Sequence, residues 1–234
     1  MASLRKHVQL PSGAEQALDA ALDKALTFER PVVLAYLARI RRRAPGESPA
    51  QVVTRLEKLY RRSVVGIGAA SGGTAALPGV GTVASVASGA AEIAAFVSAT
   101  AMYVLGLAEI HGLPVSNPEV RRALVLGTLL GDGAAAALGA GDLRVGQHWA
   151  QIITRTAARD TEKIKGINAK LGALMLTRFG ARQGALLAGR ALPFGVGAGV
   201  GALGNAALAT AAIATARRAF GPPPAQWAPH VIDA

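Results

Sequence analysis

Apolar residues recur at three- and four-residue spacing along most of this chain, and the interruptions of that spacing divide it into helices. Ser12 with Glu15 three residues later forms a capping box, and Leu18, Ala21, Leu22, Ala25 and Leu26 follow on one face. The pattern predicts a helix over 13–30 stopped by Pro31, then a short helix over 32–43 ending at Ala44-Pro45-Gly46. Asp19, Asp23 and Lys24 lie off the apolar stripe, as on an amphipathic helix. Ser48-Pro49-Ala50-Gln51 sets a capping hydroxyl, a proline and a glutamine ahead of Val52, Val53, Leu56, Leu59 and Tyr60, so a helix begins at 49.

Beyond Arg62 the pattern loses its polar half: Glu92 is the one charged residue before Glu109. Ser71-Gly72-Gly73 and Pro78-Gly79-Val80-Gly81 read as breakers, giving two apolar arms joined by a turn, the second near 82–111. Asn117-Pro118-Glu119 opens a further helix, expected to run to about Leu138-Gly139. Residues 144–158, around Trp149, Ile152 and Ile153, read as helical. Asp160 or Thr161 then caps a helix through Ile164, Ile167, Leu171 and Met175 that is expected to end at Phe179-Gly180. The last large element is uncharged from Ala191 to Ala216, closes with Arg217-Arg218 and is stopped by Gly221-Pro222-Pro223-Pro224. No sustained alternation of β-branched residues occurs between turn signals, so the fold class is all-α, a multi-helix bundle. Its organisation reads as amphipathic helices over 1–47, a helical domain over 48–221 and a loose Pro-rich tail over 222–234.

Composition changes this picture in one respect. Hydrophobic residues make up 51% of the 234 positions but aromatics only 4%, so the core must rely on close helix approach rather than bulk. Gly195, Gly197, Gly199, Gly201 and Gly204 form a strip on the last helix, expected to pack against the 82–111 arm or a second copy of the chain. Length alone would let 191–216 cross a bilayer, which takes roughly 20 apolar residues. Its strongly apolar side chains contribute only about 2–4 kcal/mol on an insertion scale, and Asn205 with the glycines erodes that. A buried helix and a spanning one are therefore both open, as is a hairpin over 63–110 with both ends cytoplasmic.

The charge balance, 25 basic against 14 acidic residues for a formal +11, favours anionic partners: lipid headgroups, nucleic acid or an acidic protein. Arg39, Arg41, Arg42 and Arg43 form the densest basic run and are candidates for contact with an anionic surface, though a solvated helix end is the commoner meaning. Sparse aromatics disfavour a stacking surface for single-stranded nucleic acid. The absence of cysteine excludes disulfides and thiolate chemistry. The opening MASLRKHVQLPSG lacks the apolar core of a secretory signal, which sets the expectation that the chain begins in the cytoplasm.

Three segments carry a family likeness: GAASGGTAALPGVG before Glu92, AEIHGLPVSNPEVRRALVL, and RALPFGVGAGVGALGNAALATAAIATARRAFGPPP. Over roughly 50–224 the chain resembles EcsC-domain proteins, the last segment being the most specific. The resemblance implies a mainly bacterial protein from a family named for an operon encoding an ABC transporter, with no established catalysis. It also implies an acidic residue at the Glu92 position, while His111 stands where an aromatic beside the glycine would be expected.

Candidate chemistry is sparse. Gly199-Val200-Gly201-Ala202-Leu203-Gly204 fits a dinucleotide-binding string, but it follows no predicted strand, and no nucleotide-phosphate loop or nucleophile elbow is present. His7, His111, His148 and His230 show no metal-ligand spacing, so no cofactor or metal is expected. Glu92, alone in an apolar stretch, is a polar pathway or pairing site if it meets lipid, and an ordinary solvated or arginine-paired residue in a soluble bundle. The reading that follows is a membrane-associated, non-enzymatic helical protein on the cytoplasmic side of a bacterial membrane, supporting transport or envelope processes, alone, as a homo-oligomer or with a membrane-protein partner. Two alternatives stand beside it: a soluble module for an acidic partner or nucleic acid, and an enzyme whose site no motif reveals.

Overall fold

A computed structural model describes residues 14–74, 82–131, 134, 148–190 and 196–227. Among the described residues the chain is all-helical, with no strand: α1 (Ala14–Arg43), α2 (Pro49–Thr74), α3 (Thr82–Ile110), α4 (Pro118–Leu130), α5 (Trp149–Arg159), α6 (Thr161–Arg190) and α7 (Val196–Phe220). The helix starts follow the caps. Gln51 Oε1 accepts from Ser48 N at 2.7 Å and Ser48 Oγ from Gln51 N at 3.4 Å, a reciprocal capping box ahead of α2. Asn117 Oδ1 accepts from Glu119 N at 2.9 Å with Pro118 in the first turn, and Asp160 Oδ1 accepts from Lys163 N at 2.9 Å.

Several helix ends differ from expectation. α1 runs through Pro31, whose ring is exposed, so the missing N–H costs one hydrogen bond on the solvent side and no core contact. Ser71-Gly72-Gly73 lies inside the last turn of α2 rather than breaking it, and Pro78–Gly81 falls outside the described residues. α4 stops at Leu130 instead of Leu138 because Gly131 turns to φ 64°, where its N–H still bonds the Gly127 carbonyl. α6 passes through Gly180 to Arg190, since a helical glycine only weakens a helix. α7 closes where the sequence placed its stop, with Gly221 at φ 78°.

α2 makes the largest single helix pairing. It packs most extensively on α7 and also on α3; α1 covers α3, α4 packs on α6, and α5 bridges α4, α6 and α7. The pairings fix direction. Asn205 Nδ2 donates to the Val64 carbonyl at 3.1 Å and Arg217 binds Glu57, so α7 runs antiparallel to α2. Tyr60 Oη lies 3.0 Å from Thr100 Oγ1 and its ring stacks on Tyr103 at 4.7 Å, while Leu56 meets Gly106, so α3 is antiparallel to α2 as well. Thr100 donates to the Phe96 carbonyl at 2.8 Å, which makes Tyr60 the donor in their pair.

Close helix approach occurs, and two glycines outside the strip carry it. A Cβ on Gly106 would sit 3.0 Å from Leu56, and one on Gly127 only 2.7 Å from the Trp149 ring. The tail expected to be loose is held as far as Trp227, whose Nε1 donates to the Glu47 carbonyl at 3.2 Å and whose ring carries the Arg41 guanidinium 5.0 Å from its centre.

Candidate functional site

The antiparallel register brings two sequence-distant uncharged stretches to one end of the molecule. From Ser63 to Ala91 and from Ala191 to Ala216 no residue is charged. Within them, Asn205 of α7 reaches Val64 of α2, and α3 returns alongside α2. The described surface there is made of Gly66, Ala70, Ala91, Ala95, Gly204, Ala207 and Leu203, the last 74% exposed. Just before this end, α2 turns Lys58, Arg61 and Arg62 outward beside a half-exposed Leu59, whereas Glu57 on its other side is buried.

The residues singled out in sequence fall around this arrangement without forming one cluster. Glu92 is half-buried on α3 at the uncharged end. Arg39, Arg42 and Arg43 are exposed at the end of α1, but Arg41 is engaged with Trp227 and half-buried, which removes it from an anionic-surface patch. Of the glycine strip, Gly195 lies outside the described residues and Gly197, Gly199 and Gly201 belong to α7. Gly204 is exposed, and a Cβ there would meet nothing within 4 Å, so it makes no close approach within this chain. The main neighbour of α7 is α2, not the 82–111 arm. The Gly199–Gly204 string is continuous helix and has none of the strand-to-helix geometry of a phosphate loop.

A second feature was invisible in the sequence. At the opposite end of the α2–α3–α7 array lies a half-open cavity of about 440 Å³, lined by Val53, Leu107, Ala216 and Phe220 together with His148 and the Gly221–Pro223 turn. Glu57, Arg217, Tyr103 and His111 are among its lining residues. Arg217 Nε and Nη2 donate to the two Glu57 oxygens at 2.8 and 2.7 Å, a bidentate pair whose acid is buried while 67% of the arginine side chain stays exposed. His111 Nδ1 donates to the Leu107 carbonyl at 2.8 Å and the ring tilts against Phe220 at 5.4 Å. His148 Nδ1 donates to the Arg218 carbonyl at 3.1 Å, capping the end of α7, and its ring occupies the space a Gly221 side chain would need.

Two polar atoms of residues that line the cavity, Tyr103 Oη and His111 Nε2, are buried without a hydrogen-bond partner. Burial, and then the nearby Glu57 carboxylate, push the Tyr103 phenol well above its ordinary range, so it stays protonated. Burial also lowers His111, the largest effect; the Leu107, Pro222 and Gly221 carbonyls oppose it, the latter two without reaching hydrogen-bond geometry to Nε2. A neutral His111 whose Nδ1 carries the proton presents Nε2 as a bare acceptor. Among the described residues no three His, Asp or Glu side chains are grouped to hold a metal ion.

None of these residues stood out by spacing. Glu57, Tyr103, His111, His148 and Arg217 come from four separate stretches, and only the Tyr103–Leu107–His111 stripe, four residues apart on α3, offered a signal of a shared face. No family model, no curated protein and no solved structure matches this chain.

Proposed function

We propose that this chain is a non-enzymatic, EcsC-type helical protein that docks on the cytoplasmic face of a bacterial membrane. In this reading the uncharged end of α2, α3 and α7 enters one leaflet, and Lys58, Arg61 and Arg62 meet anionic headgroups. The observation that carries it is the antiparallel register that puts both uncharged stretches at one end, with Leu203 standing 74% exposed there. Magnitudes favour insertion into one leaflet over a crossing. From Ser63 to the end of α2 at Thr74 the helix rises about 18 Å at 1.5 Å per residue, against a hydrocarbon core of about 30 Å. The single described helix long and apolar enough to cross, Ala91–Ile110, is 67% buried inside the protein and serves as its core. Each well-placed lysine or arginine adds roughly 1 kcal/mol at an anionic surface.

Flotation with vesicles tests this. Phosphatidylglycerol-containing vesicles are expected to carry the protein up the gradient and phosphatidylcholine vesicles to carry far less. Leu203→Asp, on an exposed site, and the pair Arg61→Glu/Arg62→Glu are each expected to reduce flotation severalfold with helicity unchanged. If the charge reversal abolishes binding while Leu203→Asp has no effect, the basic face serves an acidic partner or nucleic acid and the membrane reading fails.

A further inference from the structure

We propose that the groove between α1 and α2 is a docking site for an amphipathic helix of a partner protein, one that carries acidic residues on both sides of its apolar stripe. α1 and α2 each pack on α3 but scarcely on each other, so they stand as two banks over an α3 floor. Between them lies an open space of about 220 Å³, lined by Val33 and Tyr36 of α1, Leu56 and Leu59 of α2, and Ala99 and Met102 of α3. None of its lining residues is charged. Val32, 49% exposed, and Leu59, 42% exposed, are two of the four large hydrophobics left in the open among the described residues. Both border this groove: Leu59 lines it, and Val32 stands one helical turn before Tyr36. The space is too small for a whole helix, which is about 10–12 Å across with its side chains. The partner's helix therefore lies along the banks and sends its apolar side chains down between them, onto a floor where the unbranched Met102 adapts to their shape.

Charge around the groove sets the partner's flanks. Arg39 follows Tyr36 by three residues on α1 and Arg62 follows Leu59 by three on α2, so each bank carries an exposed arginine on the same face as a lining residue. α1 and α2 are joined by the short 44–48 connection and run antiparallel, which puts Arg39 toward that connection and Arg62 away from it. The two cations thus stand on opposite banks and toward opposite ends. An anionic lipid has one headgroup and answers one of them; a helix with acids on either flank answers both. Such rim charges set the rate and specificity of docking, while the apolar stripe supplies most of the affinity. This site is independent of membrane docking, and its test contains no vesicles.

The probe is a fluorescein-labelled synthetic peptide of roughly 16 residues, long enough to form helix in water, with a leucine stripe at helical spacing flanked by glutamates. The full chain is titrated into it and binding is read by anisotropy. Saturable binding is expected, tighter than that of a scrambled peptide of the same composition or of a version with lysine flanks. In protein labelled at the methionine methyls, the Met102 signal is expected to move and that of Met175, buried on α6, to stay. Leu59→Glu and Val32→Glu, both at exposed sites, are each expected to weaken binding about tenfold or more. The pair Arg39→Glu/Arg62→Glu is expected to weaken it and flatten its salt dependence, whereas Arg159→Glu, equally exposed on α5, leaves it unchanged. Circular dichroism checks that each variant folds. The proposal is overturned if the scrambled or lysine-flanked peptide binds as tightly, or if Leu59→Glu and Val32→Glu both bind like wild type. It is overturned too if Arg159→Glu weakens binding as much as the Arg39/Arg62 pair, which marks attraction to net charge alone. If monomeric dihexanoylphosphatidylglycerol moves the Met102 signal and the peptide does not, the groove holds an acyl chain and the proposal fails.

Discussion

Gly221→Ala is a one-methyl change whose cost can be worked out from two independent features of the C-terminus of α7. The first is backbone: Gly221 holds φ 78°, a conformation that costs a residue with a side chain roughly 1–2 kcal/mol. The second is space. A Cβ there would lie 2.2 Å from His148 Nε2 and 2.5 and 2.6 Å from two ring carbons, so the ring must move. Moving it breaks the His148–Arg218 hydrogen bond, worth about 0.5–1.5 kcal/mol. Together the expected loss is about 1.5–3.5 kcal/mol, which at roughly 2–4 °C per kcal/mol for a chain of this size lowers Tm by about 3–14 °C. Gly204→Ala is the matched control: the added methyl meets nothing in an exposed helical turn, so stability should rise by about 0.5–1 kcal/mol. Thermal melts followed by circular dichroism read both. Adding His148→Ala to Gly221→Ala removes the collision and leaves the backbone strain, so the pair should cost less than the sum of the two single changes. A Gly221→Ala protein that melts with wild type, or strictly additive costs, would refute the account of this turn.

Two further outcomes follow from the cavity. His111 is held below its ordinary pKa of about 6.5, so on acidification the unfolded chain takes up this proton first; the stability it confers is complete above that value and drains away as pH falls below it. Urea midpoints between pH 8 and pH 5 should therefore fall more steeply for wild type than for His111→Phe, and parallel curves would dispose of the idea. Arg217→Met leaves the buried Glu57 carboxylate without its partner; because two-thirds of the arginine is exposed and water can reach the gap, the cost is expected at about 1–3 kcal/mol rather than the 3–5 of a fully buried pair. Glu57→Gln in the same chain should restore most of it, measured by chemical denaturation, and a double variant as unstable as Arg217→Met alone would contradict this.

Legibility in the sequence tracked how local each cause is. Ser48, Asn117 and Asp160 act on backbone groups two or three residues away, and the helices they cap begin where the sequence placed them. Two helix ends were not legible: Pro31 is tolerated because its ring faces solvent, and α4 ends at Leu130 because Gly131 turns to φ 64°. The glycines that admit neighbours closely, Gly106 and Gly127, sit singly in their helices, and their role depends on Leu56 and Trp149 arriving from elsewhere. The uncharged end was half legible, as two apolar stretches; that they share one end required the Asn205–Val64 contact. The cavity was not legible at all, because Glu57 and Arg217 are 160 residues apart and no spacing rule relates them.

The Asn205–Val64 bond also sets a timetable for synthesis. It joins residues 141 positions apart, and α7, the helix that α2 packs on most, is the last of the described helices to be made. At translation rates of roughly 5–20 residues per second, the nascent chain waits about 7–28 s between emergence of Val64 on α2 and arrival of Asn205 on the helix that covers it. During that interval the apolar flank of α2 has no permanent cover, and the growing chain must either be shielded by other factors or settle against whatever apolar phase is at hand near the ribosome. Chains terminated before α7 therefore leave bare the flank of α2 that Asn205 and its neighbours cover once α7 is made.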